Sequence, residues 1–224
     1  MKLIVRTTTD KVKELTPRDI RNFIGSIVDA KYKDLAMWHE KRYPELIYIK
    51  PFAKGFEILN YTNNIELMEH IEEKLLEHKD IAIRGIKTKI SKVWTKPEQF
   101  IFPYRDLCVY KTRTPIVISV NPVEFGISYF AKDDKEKLFS YVKSRIVKSV
   151  KLQAKQYFDV EVDMEDFQIK VLKYEHFQIK YKDNELYPAV FMEFMSNYKL
   201  PRFVGYKIGL GWGEIYEPSS QNFR

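Results

Sequence analysis

An α+β protein of two tandem ferredoxin-like (RRM-like) units is predicted by three observations. The first 95 residues read as strand, helix, strand, strand, helix, strand. A second run of strands around one long helix begins at Thr114. The apolar content, 45% of residues, is ample for buried cores, and 224 residues suit two small domains. The predicted division is an N-terminal domain over 1–95, a connecting segment over 96–113 and a C-terminal domain over 114–224.

Each element has a local reason. Leu3 and Val5 alternate with Lys2 and Arg6, so residues 1–8 read as a strand that leaves into the polar Thr7-Thr8-Thr9-Asp10. Thr16-Pro17-Arg18-Asp19 supplies an N-cap, a proline at the first helical position and an acid at N3. Ile20, Phe23, Ile24, Ile27 and Leu35 keep a helical period for four turns, with a bend expected at Gly25. Tyr43-Pro44 ends that helix, and 46–50 and 56–60 are β-rich runs separated by Pro51 to Gly55. Asn63-Asn64 caps a second helix with Ile65, Met68, Ile71, Leu75 and Leu76 on one face. Residues 81–94 read as one more strand. In the second domain, 114–120 is a strand, 132–158 is the longest helix, and 167–171, 177–181 and 189–195 are strands, with Asp183-Asn184 as a turn.

The formal net charge is +7 with a pI near 9.2, and 15 Tyr and 15 Phe make the chain aromatic. Positive charge with exposed rings suits phosphates and bases. The single cysteine, Cys108, excludes an intramolecular disulfide and a cysteine-based zinc site, and Asp and Glu do not pair with His at ligand spacing, so no metal site or cofactor is predicted. No run of about 18 apolar residues and no apolar leader occur, so a soluble cytoplasmic protein with no membrane association is expected.

Two segments carry the basic signal. Four of the eight glycines, Gly205, Gly209, Gly211 and Gly213, fall within 203–216, where Arg202 and Lys207 add positive charge. Consecutive backbone amides in such a loop form anion-binding concavities, although a tight turn or bulge with no ligand also uses glycine this way. The 132–158 helix carries Lys137, Lys143, Arg145, Lys148, Lys151 and Lys155 with no acid between Lys137 and Phe158. Lys148, Lys151 and Lys155 share the face opposite the apolar row Leu138, Val142, Ile146, Val150 and Ala154, and an unbalanced charged face points to phosphate contact. The predicted RNA-binding set is therefore Lys143, Arg145, Lys148, Lys151, Lys155, Arg202, Lys207, Gly209, Gly211 and Gly213.

With these residues in place the chain resembles the Cas6 family of CRISPR repeat-RNA processing endoribonucleases. The resemblance is carried by the strand-helix start, Leu35-Ala-Met-Trp-His39, Lys50-Pro-Phe52, Thr114-Pro-Ile-Val-Ile118 and the glycine-rich loop closing on a strand. The glycines run G-x-x-x-G-x-G-x-G, and Trp212 stands where a Phe is more usual in the family. The resemblance implies tandem ferredoxin-like domains and recognition of repeat RNA, often a stem-loop, as precursor crRNA. It further implies metal-independent cleavage at the 3′ side of that repeat RNA and delivery of guide RNA to an interference complex. Other Cas proteins are thereby implied as partners, and a homodimer is left open. The same features fit a catalytically inactive RNA-binding subunit, Cas5-like or inactive Cas6-like.

Metal-independent RNA cleavage uses the 2′-OH of the substrate as nucleophile and leaves a 2′,3′-cyclic phosphate. It needs groups to move two protons and charge to stabilise the phosphorane. Of the four histidines, His70 lies among glutamates, His78 ends a helix and His176 sits at a strand turn, which reads as structural. His39 lies beside Lys41 and Arg42 in the segment the resemblance marks. The expected catalytic set is His39, with Tyr32 two helical turns earlier as second proton-transfer group, Tyr43 as its rival, and Lys50 for transition-state charge.

Overall fold

The computed structural model describes residues 1–37, 47–61, 64–118, 135–181 and 185–218. It divides into two compact units, Met1–Phe100 with Gly209–Gly211, and Ile101–Ile208 with Trp212–Arg224.

In the first unit, strand β1 (Lys2–Thr7) buries Leu3 and Val5 and turns Lys2, Ile4 and Arg6 to the other face. Helix α1 (Pro17–Ile27) opens with the predicted capping box. The Thr16 side chain accepts from the Asp19 amide, and Asp19 accepts in return from the Thr16 amide at 2.8 Å. The expected bend at Gly25 is absent. Gly25 is buried inside α1, and the chain breaks at Val28, which is extended at ψ 151°, before α2 (Ala30–Met37). The break is held by hydrogen bonds. The Asp29 amide donates to His70 Nε2 at 3.1 Å, and the Asp29 carbonyl accepts from the Tyr32 amide at 2.9 Å.

Strands β2 (Ile47–Phe52) and β3 (Gly55–Asn60) form an antiparallel hairpin, as the sequence allowed. Helix α3 (Ile65–Glu77) is capped by Asn64, whose side chain accepts from the Leu67 amide. Its buried face is Leu67, Met68, Ile71 and Leu75, whereas Ile65 and Leu76, expected on that face, are half exposed. The predicted single strand over 81–94 is a second hairpin, β4 (Asp80–Ile83) and β5 (Ile86–Lys96). Arg84 and Gly85 turn it, with φ of 47° and 80°, the double left-handed geometry of a type I′ turn. The sheet order is β2-β3-β1-β5-β4. Its first four strands reproduce the ferredoxin-like arrangement, with β4 added at the edge. Leu3, Val5, Phe56 and Ile58 pack on Ile20, Ile24, Met68 and Ile71. Each such side chain contributes about 1.5 to 3 kcal/mol through burial.

The second unit begins with β6 (Tyr104–Thr112), inside the segment predicted as a connection. Cys108, Tyr110 and Thr112 point inward, but a register shift between Arg105 and Cys108 breaks the earlier alternation. The predicted strand at 114–120 contributes only the two-residue β7 (Ile116–Val117) to the described sheet. Helix α4 (Lys135–Phe158) buries Val142, Ile146, Val150 and Ala154 as predicted, and residues 131–134 lie outside the described residues. The runs expected as separate strands at 167–171 and 177–181 belong to one, β8 (Ile169–Tyr181), bulged between Val171 and Lys173. It pairs along its length with β9 (Glu185–Lys199), and the Asp183-Asn184 turn lies outside the described residues.

The last strand, β10 (Ile215–Tyr216), completes the order β10-β6-β9-β8, with β7 also paired to β9. This again is the ferredoxin-like order, so the α+β reading of two tandem ferredoxin-like units holds. Between β9 and β10, where a second helix would stand, the chain runs as the glycine-rich segment, with only a 3-10 turn at Ile208–Leu210.

Candidate nucleic-acid interface

The catalytic candidate His39 lies outside the described residues, as do Lys41, Arg42 and Tyr43. Tyr32, on α2, is half-buried and packs its ring 4.6 Å from that of His70. Its hydroxyl is 3.5 Å from Glu66 Oε2, and the Lys31 ammonium stands 4.5 Å from the ring centroid. His70 has a structural contact, since its Nε2 accepts the Asp29 amide proton at the helix break. His78 ends α3 with Nδ1 at 2.9 Å from the Lys74 carbonyl, and His176 is exposed on β8 beside Tyr174. Lys50 lies on β2, opposite Glu57 of β3.

The basic face of α4 borders a groove of about 750 Å³ lined by Lys143, Ser144, Lys148, Lys151, Lys155 and Glu165, among others. Its lysines are not equivalent. Lys155 is paired with Asp159 at 2.8 Å and lies 3.9 Å from Glu161, two acids just past the helix end. The hydrogen bond and charge of Asp159 hold the Lys155 ammonium above the ordinary lysine range. Lys143 donates to Gln168 Oε1 at 3.2 Å. Lys148 and Lys151 are exposed, and no ion pair joins either one to a carboxylate among the described residues. Arg145 is separate from them, its guanidinium 5.7 Å from the Tyr206 ring centroid.

The glycine-rich segment is packed against backbone. Gly213 has φ 73°, and a Cβ there would fall 1.7 Å from the Val204 carbonyl oxygen. Its amide donates to the Pro115 carbonyl at 2.8 Å, and its own carbonyl accepts from Val204. The amides of Tyr206, Glu214 and Ile215 are bonded to Val117, Thr114 and Arg202. Gly213, one of the residues expected to bind RNA, thus has its amide donor bonded within the protein. Gly211, at φ 80°, would place a Cβ 3.2 Å from the Ile49 carbonyl oxygen. Gly209 presents its carbonyl to the buried Arg21 guanidinium at 2.7 Å.

Arg202 is likewise engaged. Its Nε and Nη2 donate to Glu214 Oε1 at 3.1 and 2.9 Å, and Arg113 Nη1 adds a third bond at 2.9 Å. The Glu214 side chain is only 1% exposed, so two arginines neutralise a buried carboxylate. Lys207 has φ 57° and sets its ammonium 5.0 Å from the Tyr206 ring centroid. The sequence carries no signal for Arg21 or Arg113, because each bonds a partner about a hundred residues or more away in the chain, and Glu214 shows its role only with both arginines around it. Gln153 was hidden in the buried face of α4, where it donates to the Phe203 carbonyl at 2.9 Å.

In sequence, no family model and no curated protein matches the chain. Solved structures do resemble it in fold. A Cas6b crystal structure aligns with a TM-score of 0.70 at 14% identity, covering 97% of this chain and 100% of that one. A CRISPR RNA processing endoribonuclease Cas6b aligns at 0.60 and 14% identity, covering 97% and 100%. An RAMP protein binding different RNA substrates aligns at 0.62 and 15% identity, covering 97% and 99%. Over nearly its whole length, this chain has a Cas6-like fold.

Proposed function

We propose that the chain is a metal-independent endoribonuclease that cleaves CRISPR repeat RNA to generate guide RNAs. The observation that carries the proposal is the near-complete alignment with Cas6 structures, one of them a CRISPR RNA processing endoribonuclease. The lysine groove of α4 supports it as a surface for the RNA backbone, centred on Lys148 and Lys151, with Lys143 and Lys155 beside them. In the proposed reaction the 2′-OH attacks the adjacent phosphorus, its proton passes to a base, and the 5′-oxygen leaves with a proton from an acid. The products are a 2′,3′-cyclic phosphate and a 5′-OH.

His39 takes a proton-transfer role, and Lys50 stabilises charge on the phosphorane. Between the two tyrosines, the contacts of Tyr32 with His70 and Glu66 favour Tyr43 as the partner. The product is handed to other Cas proteins in the cytoplasm. The test is incubation with the genome's own repeat RNA in EDTA. Cleavage to a 2′,3′-cyclic phosphate supports the enzyme, whereas tight binding of intact repeat identifies the inactive RNA-binding subunit. Equal affinity for scrambled RNA of the same structure removes the CRISPR role.

A further inference from the structure

The sheet of the first unit has two unlike faces. Leu3, Val5, Ile49, Phe56 and Ile58 pack toward the helices. On the opposite face the strand registers define rows. Tyr48, Leu59 and Lys2 form one row, where Tyr48 and Leu59 are each 1% exposed and Tyr61 lies edge-on to both Tyr48 and Phe100. The next row is Lys50, Glu57, Ile4 and Trp94, and the one after it is Phe52, Gly55, Arg6 and Lys92. These two rows reach solvent: Arg6 and Lys92 are exposed, and Phe52 and Trp94 are half-buried.

Both rings carry a cation. The Arg6 guanidinium stands 4.8 Å from the Phe52 ring centroid, and the Lys92 ammonium stands 5.3 Å from that of Trp94. Gly55 lies between Phe52 and Arg6 in the row. A Cβ there would fall 1.9 Å from the Val5 carbonyl oxygen and 3.0 Å from the Phe52 ring, so glycine keeps the Phe52–Arg6 approach open. Across the two rows Arg6, Lys50 and Lys92 face one carboxylate, Glu57.

We infer that this face is a stacking platform for unpaired RNA bases, with Phe52 and Trp94 each taking one base and Arg6 and Lys92 moving onto the adjoining phosphates. Phe52 and Trp94 lie three strand spacings of about 4.8 Å and one two-residue row of about 6.8 Å apart, roughly 16 Å in all, so each serves a separate base. Base–aromatic stacking exceeds an exposed cation–π contact, so the incoming base displaces the cation, and the phosphate accepts it. A paired stem hides its base faces and would engage only the charges. The occupant is therefore single-stranded RNA, flanking or looped out of any stem. An acidic protein surface would use the cations but leave the rings without a role. The inference rests on the RNA-binding reading above and names the part of the substrate this face takes.

The test is fluorescence anisotropy with labelled octauridylate and with a blunt RNA duplex, using the full chain. Trp94→Ala and Phe52→Ala should each weaken octauridylate binding about tenfold, Trp94→Phe should stay within threefold of wild type, and duplex binding should change less than twofold. Arg6→Gln with Lys92→Gln should lower the log–log salt slope for octauridylate by about 1.4. Should either alanine variant unfold, ultraviolet crosslinking of octauridylate to the wild-type chain decides, with crosslinks at Phe52 or Trp94 supporting the platform and crosslinks only elsewhere overturning it. Unchanged affinity in folded variants, or no octauridylate binding by wild type, overturns it as well. Octauridylate bound through Trp94 without preference for repeat RNA would sustain the platform while defeating the CRISPR reading.

Discussion

Replacing Lys148 and Lys151 by alanine should weaken repeat-RNA binding and flatten its salt dependence, and the structure sets how far. Each phosphate contact on a single strand contributes about 0.7 to the slope of log K against log salt, and about 0.9 on a duplex. Both lysines are exposed on the groove without an ion pair to a described carboxylate, so the double variant should lose about 1.4 to 1.8 in slope. Lys155 behaves differently, since its ammonium already bridges to Asp159 and Glu161. Adding Lys155→Ala should lower the slope further by less than half of one contact. The assay is anisotropy of labelled repeat RNA over a salt series, with thermal unfolding as a folding control. An unchanged slope in the double variant would refute the groove as a phosphate surface. An equal decrement from each of the three lysines would refute the argument that Lys155 is held by its acids.

Gly213→Ala should destabilise the chain by about 3 kcal/mol or more, read as a lower Tm, because its Cβ meets the Val204 carbonyl oxygen. Gly85→Ala, at φ 80° with open space around it, should lose only about 1 kcal/mol in the same measurement. Glu214→Gln should destabilise by about 3 kcal/mol, because it leaves Arg113 and Arg202 around a neutral side chain that is buried. Burial alone would raise the Asp19 carboxyl, but the Thr16 hydrogen bonds and Arg84 outweigh it and hold it below its ordinary value. A depressed acid stabilises above its unfolded pKa of about 3.9 and loses that contribution as pH falls through the folded value. Asp19→Asn should therefore lower Tm at pH 7, and its difference from wild type should close below about pH 4.

Local signals were legible in the sequence and long-range ones were not. The Thr16–Asp19 capping box is a four-residue pattern, and the structure forms it as read. The Arg84-Gly85 turn was within reach, since a glycine between two Ile-bearing runs marks a hairpin, but the alternation on both sides resembled one strand. β6 and β8 were misread for one cause. Each carries a bulge, between Arg105 and Cys108 and between Val171 and Lys173, and a bulge shifts the two-residue period. The glycine run was visible, but what it approaches was not. Whether a glycine amide faces a phosphate or the Pro115 carbonyl depends on a segment about a hundred residues earlier. The commitment of Arg202 to the nearby Glu214 was hidden because Arg113, about a hundred residues earlier in the chain, completes that cluster. Among the catalytic candidates, the Tyr32–His70 packing depends on the helix break at Val28, which the regular apolar period concealed.

The most direct measurement is a single-turnover cleavage assay of the host's repeat RNA in EDTA with wild type and His39→Ala. Wild type should give a 2′,3′-cyclic phosphate product, and His39→Ala should bind repeat RNA with nearly unchanged affinity but cleave it slower by about 10² or more. Repeat RNA that is bound tightly and left intact by wild type, or cleavage by His39→Ala within threefold of wild type, would contradict it.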